Sequence, residues 1–314
     1  MTYQPRFFDR LPEDHVLERR GDAEPYVFSE DIVIAVDVAL ATNRPLLVSG
    51  NPGCGKSRLA DAVAAVQGWS LLDKTMTSRT RVESLTAEVD QLRRLNDAQA
   101  QSLNPDPSHY LNPGLFWWAF QPATARRRGR GSEHRADPVY PGVNRGGDGT
   151  HHAVLLIDEI DKAEPDLPND LLELLDRRRF DLPEGFQVEQ NTQIACAAGI
   201  TLLTVITTNG ERELPQAFLR RCVMLELPDP NQEQLEAIAL QHFPQGDRDR
   251  ITAIARRLVD FQQQARDLRR RPPGTAEFLD AIRACEELDI PVSESATSIW
   301  KKIEAAVLLK SGRA

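Results

Sequence analysis

Through the first two thirds of the chain, short apolar runs that stop at a glycine or a polar residue alternate with stretches of helical spacing. Residues 32–41 have the periodicity of a short helix. Pro45-Leu46-Leu47-Val48-Ser49 is a brief apolar run ending at a glycine, the pattern of a strand buried on both faces of a parallel sheet. Residues 57–66 then set alanines and a leucine on one side of a helix. Further strands are predicted at Ser70-Leu71-Leu72, 153–157, 202–207 and 223–227, and their alternation with helices implies a parallel α/β sheet. After Pro228-Asp229-Pro230 the strand signals cease. Residues 234–243, 251–268, 276–288 and 296–309 all show helical periodicity, so a small all-helical C-terminal domain is expected. The chain has no internal repeat and no heptad pattern.

Two stretches fit neither pattern. Residues 81–100 read as one helix rich in charged and amide side chains, facing solvent or a partner, with Leu85, Leu92 and Leu95 as its leucines. Residues 122–149 include Arg126-Arg127-Arg128-Gly129-Arg130-Gly131 and Gly146-Gly147-Asp148-Gly149, too poor in apolar residues to pack, and are expected to form a mobile loop. The arginine run reads first as solvated surface and second as a grip on nucleic acid.

Composition narrows the class. With 314 residues and 41% hydrophobic content the chain can bury a sizeable core, and its length favours two domains over one. No apolar run approaches the roughly 20 residues of a membrane helix, and residues 1–20 are charged and proline-broken, unlike a signal peptide, so a cytoplasmic location without membrane insertion is expected. Cys54, Cys196, Cys222 and Cys285 lie far apart with no C-x-x-C pair, which suggests reduced thiols and neither a disulfide framework nor a zinc site. No histidine has metal-ligand spacing with a second ligand, and His151-His152 is expected at the surface. A net charge of -9 works against general attraction to nucleic acid, so protein partners come first.

The chemistry begins at Gly50-Asn51-Pro52-Gly53-Cys54-Gly55-Lys56-Ser57, a match to G-x-x-x-x-G-K-[ST] with a strand before it and a helix after it. Glycines let backbone N–H groups converge on phosphates, and the helix start adds its positive dipole end. Lys56 is expected to bridge the β- and γ-phosphates and Ser57 to ligate Mg²⁺, with Arg58 beside them. Ala153-Val154-Leu155-Leu156-Ile157 is a continuous apolar strand that delivers Asp158 and Glu159 to the carboxyl end of the sheet, where ligands of open α/β folds bind. In this Walker B pattern Asp158 would hold Mg²⁺ and Glu159 would orient and deprotonate the water attacking the γ-phosphate. Asp161 reads as a cap or supporting acid, not a metal ligand. The strand 202–208 ends in Asn209, whose amide can donate to the γ-phosphate and accept from the lytic water, the role of a sensor. Arg220 and Arg221 follow on a short helix and have no obvious carboxylate to pair with inside one subunit.

Strand-borne Asp158-Glu159, Asn209, Phe218-Leu219-Arg220-Arg221 and the helical C-terminus together resemble AAA+ ATPases, most closely the MoxR branch, over about residue 26 to the end. The resemblance implies a five-stranded P-loop AAA+ α/β core with helices on both faces over 26–228, an all-helical lid over 229–314, and a preceding segment over 1–25. It implies ATP and Mg²⁺ as ligands and a homo-oligomer, six copies in a ring, with Arg221, or failing it Arg220, reaching a neighbour's nucleotide as an arginine finger. Tyr110-Leu111-Asn112-Pro113-Gly114 with the following Leu115-Phe116-Trp117-Trp118-Ala119 is similar to the family's helix-2 insert. Residues 180–194 are similar to its pre-sensor hairpin. Trp117 and Trp118 read equally as core aromatics or as remodelling elements. In the lid the family's Pro-Arg pair is replaced by Arg269-Arg270-Arg271-Pro272-Pro273, and Arg271 is the expected second sensor, against a plain basic helix end. Tyr26 and Val27 resemble the adenine-contacting segment, or are packing residues. By the same resemblance the function is remodelling of a client protein, often one with a von Willebrand factor A domain. The alternatives are a nucleic-acid-directed or restriction-type NTPase and a slowly hydrolysing signalling switch, and the base pocket does not distinguish ATP from GTP.

Overall fold

The computed structural model describes residues 3–19, 23–132, 144–145, 151–268, 270–292 and 299–308. Its principal sheet has six strands in the spatial order Val223–Leu227, Leu46–Gly50, Leu202–Thr208, Ala153–Asp158, Ser70–Thr75 and Asn144–Arg145. The first five are parallel, as the alternating pattern predicts, and the two-residue edge strand runs antiparallel to Ser70–Thr75. In chain order the five occupy the places fifth, first, fourth, third and second, so Leu46–Gly50 is flanked by the two strands formed last. Ala153 to Ile157 is buried throughout, because helices flank the sheet and leave no polar face.

The chain forms two compact units. One takes the described residues of Met1–Asp9, Asp31–Val48 and Val63–Leu225; the other takes those of Arg10–Glu30, Ser49–Ala62 and Glu226–Ala314. The last break between the units lies after Leu225, and the glycine-rich loop groups with the C-terminal helices.

The first unit is packed around Leu155, Ile157, Ile206, Leu171, Phe218 and the helix Leu115–Phe120, all six of whose residues are buried. Trp117 and Trp118 are therefore core aromatics. Trp117 Nε1 donates to Thr124 Oγ1 at 3.0 Å, and its ring meets Phe180 edge-on, so the polar atom is satisfied while the ring displaces water. Arg179–Asp181 pairs antiparallel with Gln193–Ala195, and the segment between them turns Leu182, Phe186 and Val188 into the same core.

The single helix expected over 81–100 is not formed. Val82–Leu85 and Gln91–Gln99 are helical, and Ala87–Val89 between them is a strand paired with Leu111–Pro113. Tertiary contact overrides local propensity here: Gly114 lies so close to Leu85 that a Cβ on it would sit 2.6 Å from the Leu85 carbonyl oxygen. Asp90 then starts the second helix by accepting from Arg93 N at 2.9 Å. That helix buries none of its residues, and Leu92 and Leu95 are exposed.

Most of the loop expected over 122–149 lies outside the described residues, but its beginning is ordered. Pro122–Ala125 is a helical turn with Ala125 buried, and Arg128 Nη1 donates to His109 O at 3.0 Å and Leu111 O at 3.3 Å. His152, expected at the surface, is half-buried against Trp69, and its Nδ1 accepts from Thr201 N at 2.9 Å.

In the second unit, Gln232–His242, Arg248–Asp267, Thr275–Glu287 and Ile299–Ile303 pack around Leu235, Ile254, Leu258, Phe278, Ile282 and Trp300. Asn231 and Gln234 close the first helix with reciprocal side-chain bonds. The last helix, expected over 296–309, passes into a π turn at Glu304–Leu308.

Asp37, on the otherwise apolar helix Glu30–Thr42, is 3% exposed and organises the start of the chain. Its carboxylate accepts from Tyr3 OH at 2.6 Å, Arg6 N at 3.1 Å, Phe7 N at 2.6 Å and Phe8 N at 2.8 Å. Burial alone would raise its pKa, but the Tyr3 hydroxyl and the three amides outweigh it and hold the carboxyl below its ordinary range. A depressed folded pKa contributes stability above the unfolded pKa and loses it as pH falls through the folded one. Asp37→Ala should therefore cost about 2 kcal/mol in urea unfolding at pH 7. The difference from wild type should shrink below about pH 4.

Candidate functional site

Parallel pairing of Leu202 with Ala153 through Ile206 with Ile157 brings the carboxyl ends of two strands side by side. Asp158 and Glu159 emerge from one and Thr207, Thr208 and Asn209 from the other. Thr207 Oγ1 donates to Asp158 Oδ1 at 2.6 Å and accepts from Glu159 N at 2.9 Å. Glu159 has φ 58° and ψ 52°, a left-handed conformation that a non-glycine residue keeps only when its surroundings impose it. Its carboxylate is held from two sides, by Asn209 Nδ2 at 3.3 Å and Lys162 Nζ at 2.6 Å. That carboxylate also keeps the Lys162 ammonium above the usual lysine range. An open cleft of ≈ 480 Å³ lies here, lined by Thr75, Thr77, Glu159, Lys162 and Arg212 among others.

Asp161 is 3% exposed and ties the two loops together: its Oδ2 accepts from Asn209 N at 3.1 Å and Glu211 N at 3.0 Å. Its Oδ1 is buried without a hydrogen-bond partner among the described residues. The sequence singles out Asp158, Glu159 and Asn209 and gives Asp161 a supporting place, and the structure brings these four together. Sequence reasoning missed Thr207 and Lys162. The available signal was a hydroxyl in the middle of a buried strand, which has to find a partner.

The 50–57 loop joins the strand Leu46–Gly50 to the helix Lys56–Gln67. Gly50, Gly53 and Gly55 have φ of 148°, 85° and 99°, and a Cβ on Gly50 would lie 2.6 Å from Leu227 O. Lys56, 7% exposed, donates from Nζ to Gly50 O at 2.8 Å and Asn51 O at 3.0 Å. Asn51 Nδ2 bonds both oxygens of Asp229, at 2.9 and 3.0 Å. Burial pushes the Cys54 thiol pKa above its ordinary value.

Arg271 reaches this loop: its Nη2 lies 3.3 Å from Pro52 O and 3.5 Å from Glu277 Oε1. Ala276 N donates to Gly53 O at 3.2 Å, so the start of Thr275–Glu287 is fastened to the loop as well. Tyr26 and Val27 form a short strand paired with Val16–Leu17. The Tyr26 ring flanks Gly55, 3.6 Å from where a Cβ would be, and burial pushes its hydroxyl pKa up. Arg58 is half exposed and pairs with Glu24 at 2.9 Å and Asp61 at 3.5 Å. Ser57 lies in the first turn of the helix.

Arg220 and Arg221 follow the short helix Gln216–Leu219. Contrary to expectation, Arg221 has an internal carboxylate: its Nε is 2.8 Å from Asp176 Oδ2, and its Nη1 donates to Ala217 O at 3.1 Å. The Arg221–Asp176 pair is about half exposed on both sides. The backbone beneath is clamped by Arg44, which donates to Arg220 O, to Arg221 O at 3.0 Å and to Cys222 O at 3.1 Å. Burial pushes the Cys222 thiol up to about 12.

Among the described residues, no group of three or more His, Cys, Asp or Glu side chains could hold a metal ion. The Ser57 hydroxyl and the Asp158 carboxyl are each hard oxygen donors, the ligand type that Mg²⁺ takes. The family model described as AAA domain (dynein-related subfamily) matches residues 45–222, more than half of the chain. Asp161→Ala should leave the Asn209 and Glu211 amides without an acceptor and lower stability by about 2 kcal/mol in urea unfolding.

Proposed function

The chain belongs to the AAA family, in its dynein-related subfamily, and from that membership we propose that it binds ATP on the 50–57 loop, hydrolyses it to ADP and phosphate, and remodels or activates a partner protein as a ring of copies. The observation that carries the hydrolytic part is the pose of Glu159, left-handed at the end of its strand with its carboxylate held by Asn209 and Lys162. From there the carboxylate takes the proton of the attacking water, and Asn209 aligns that water with the γ-phosphoryl group. Lys56 exchanges the carbonyls of Gly50 and Asn51 for β- and γ-phosphate oxygens, which satisfy the same three donors with full charge. Ser57 and Asp158 would hold Mg²⁺, which neutralises charge on the phosphate oxygens when bound. Arg271, close to the loop through Pro52 O, is the lid arginine that senses the triphosphate. Tyr26, Val27 and Arg58 flank the base and ribose.

Arg221, with Arg220 second, acts on the nucleotide of a neighbouring copy in a ring of six. Its pair with Asp176 is solvent-accessible and worth little, so trading that carboxylate for a triphosphate is energetically open. The Pro113-Gly114 segment and the 180–194 hairpin favour the MoxR branch and a protein client, one with a von Willebrand factor A domain fitting that branch. The net charge of -9 favours a protein client over nucleic acid. The location proposed for this work is the cytoplasm; no helix among the described residues is long and apolar enough to cross a membrane.

Glu159→Gln should keep ATP affinity and lose at least about 100-fold in turnover, while Lys56→Ala should lose binding. Steady-state ATPase assays with equilibrium ATP titrations check both, and normal turnover by Glu159→Gln would remove that residue from its role. Mixing Arg221→Ala protein with Glu159→Gln protein should restore part of the activity, because an interface where the Arg221→Ala copy supplies Glu159 and the Glu159→Gln copy supplies Arg221 has both intact. Absence of rescue from an intact assembly argues against a finger in trans.

A further inference from the structure

Thr207 is fully buried, in a strand whose neighbours Val205 and Ile206 are apolar and equally buried. Its hydroxyl makes two bonds of opposite sense, donating to Asp158 Oδ1 at 2.6 Å and accepting from Glu159 N at 2.9 Å. A hydroxyl has one proton and two lone pairs, so it can donate to Asp158 and accept from Glu159 N at the same time. The 2.6 Å separation is a short O–H···O bond, which restricts where Oδ1 of Asp158 can lie. The second bond grips the amide of the residue whose backbone is left-handed. Asp161 secures the other side of the turn through the amides of Asn209 and Glu211, so the Glu159 backbone is tethered before and after its strained torsion. A threonine that only satisfied itself would need one local carbonyl; this one bonds two consecutive residues, both of which the proposed hydrolysis uses.

We infer that Thr207 is a positioning residue of the hydrolytic site, orienting the Asp158 carboxylate toward Mg²⁺ and holding Glu159 in the pose from which it reaches the lytic water. This rests on the ATPase reading of Asp158 and Glu159. Neither role brings Thr207 into contact with nucleotide.

Thr207→Val keeps the shape and the β-branching that a strand favours and removes the hydroxyl; Thr207→Ser keeps the hydroxyl and removes a methyl. The full-length chain is titrated with ADP at fixed Mg²⁺ concentrations and in EDTA, and kcat and KM for ATP are measured separately. Thr207→Val is expected to need about tenfold more Mg²⁺ for half-maximal enhancement of ADP binding and to lose about tenfold in kcat, with affinity in EDTA unchanged. Thr207→Ser is expected to stay within about threefold of wild type in both. The proposal is overturned if Thr207→Val stays within about twofold of wild type in both, or if Thr207→Ser is damaged as much as Thr207→Val. Should Thr207→Val lose its far-UV spectrum, Thr207→Cys replaces it under the same criteria, since sulfur keeps the volume but is a weak donor. A wild-type protein that shows no Mg²⁺-dependent nucleotide binding would sink the ATPase reading itself, and the Thr207 role with it.

Discussion

The parallel pairing of Ala153–Asp158 with Leu202–Thr208 is the constraint on which the acidic side of the site depends. Once Ile157 is opposite Ile206, Asp158 and Glu159 have no freedom to leave the vicinity of Thr207 and Asn209. The pairing is itself held by burial: Val154, Leu155, Ile157, Val205 and Ile206 are almost wholly removed from water, and a one-residue slip would exchange the side chains packed on the two faces of the sheet. A polar cluster at the rim of such a strand pair inherits the rigidity of an apolar core. Hydrogen bonds within the cluster then select one conformation, because each buried donor or acceptor left unpaired costs about as much as several surface contacts contribute.

The glycine-rich loop is held on different terms. Its backbone has positive φ at Gly50, Gly53 and Gly55, its lysine is satisfied by the loop's own carbonyls, and its outer face is fastened by Asp229, Arg271 and Ala276. Every one of these fastenings is a polar bond. The loop and the C-terminal helices belong to one compact unit, and the acidic cluster sits at the rim of aliphatic packing in the other.

The insertions show how packing overrides composition. Leu115–Phe120 has six buried residues, two of them tryptophans, and its place in the core explains why the hairpin Arg179–Asp181 and Gln193–Ala195 carries buried Phe180 and Ile194. Gln91–Gln99 keeps Leu92 and Leu95 in solvent instead. Both stretches contain hydrophobic residues; what separates them is whether a second apolar surface lies within reach.

The five parallel strands, the loop that follows the first, the acids that end the third and the helical C-terminus were legible in the sequence, because apolar period, glycine placement and the sign of strand-terminal residues act over a few positions. Asp158, Glu159 and Asn209 were legible for the same reason. Lys162, only 3 positions from Glu159, was not, and neither were Thr207 and the Asp176 partner of Arg221, each of which acquires its meaning from a residue 49 or 45 positions away, brought close by the fold. The same holds for the break at Thr86, set by Gly114, and for Asp37, whose carboxylate inside an apolar helix face is explicable only once Tyr3 to Phe8 are folded onto it. Local pattern determined which elements form and which ends carry chemistry, since propensity and burial periodicity are short-ranged. The tertiary structure alone decided how those acids are oriented, because orientation is fixed by hydrogen bonds between strands that only register brings together.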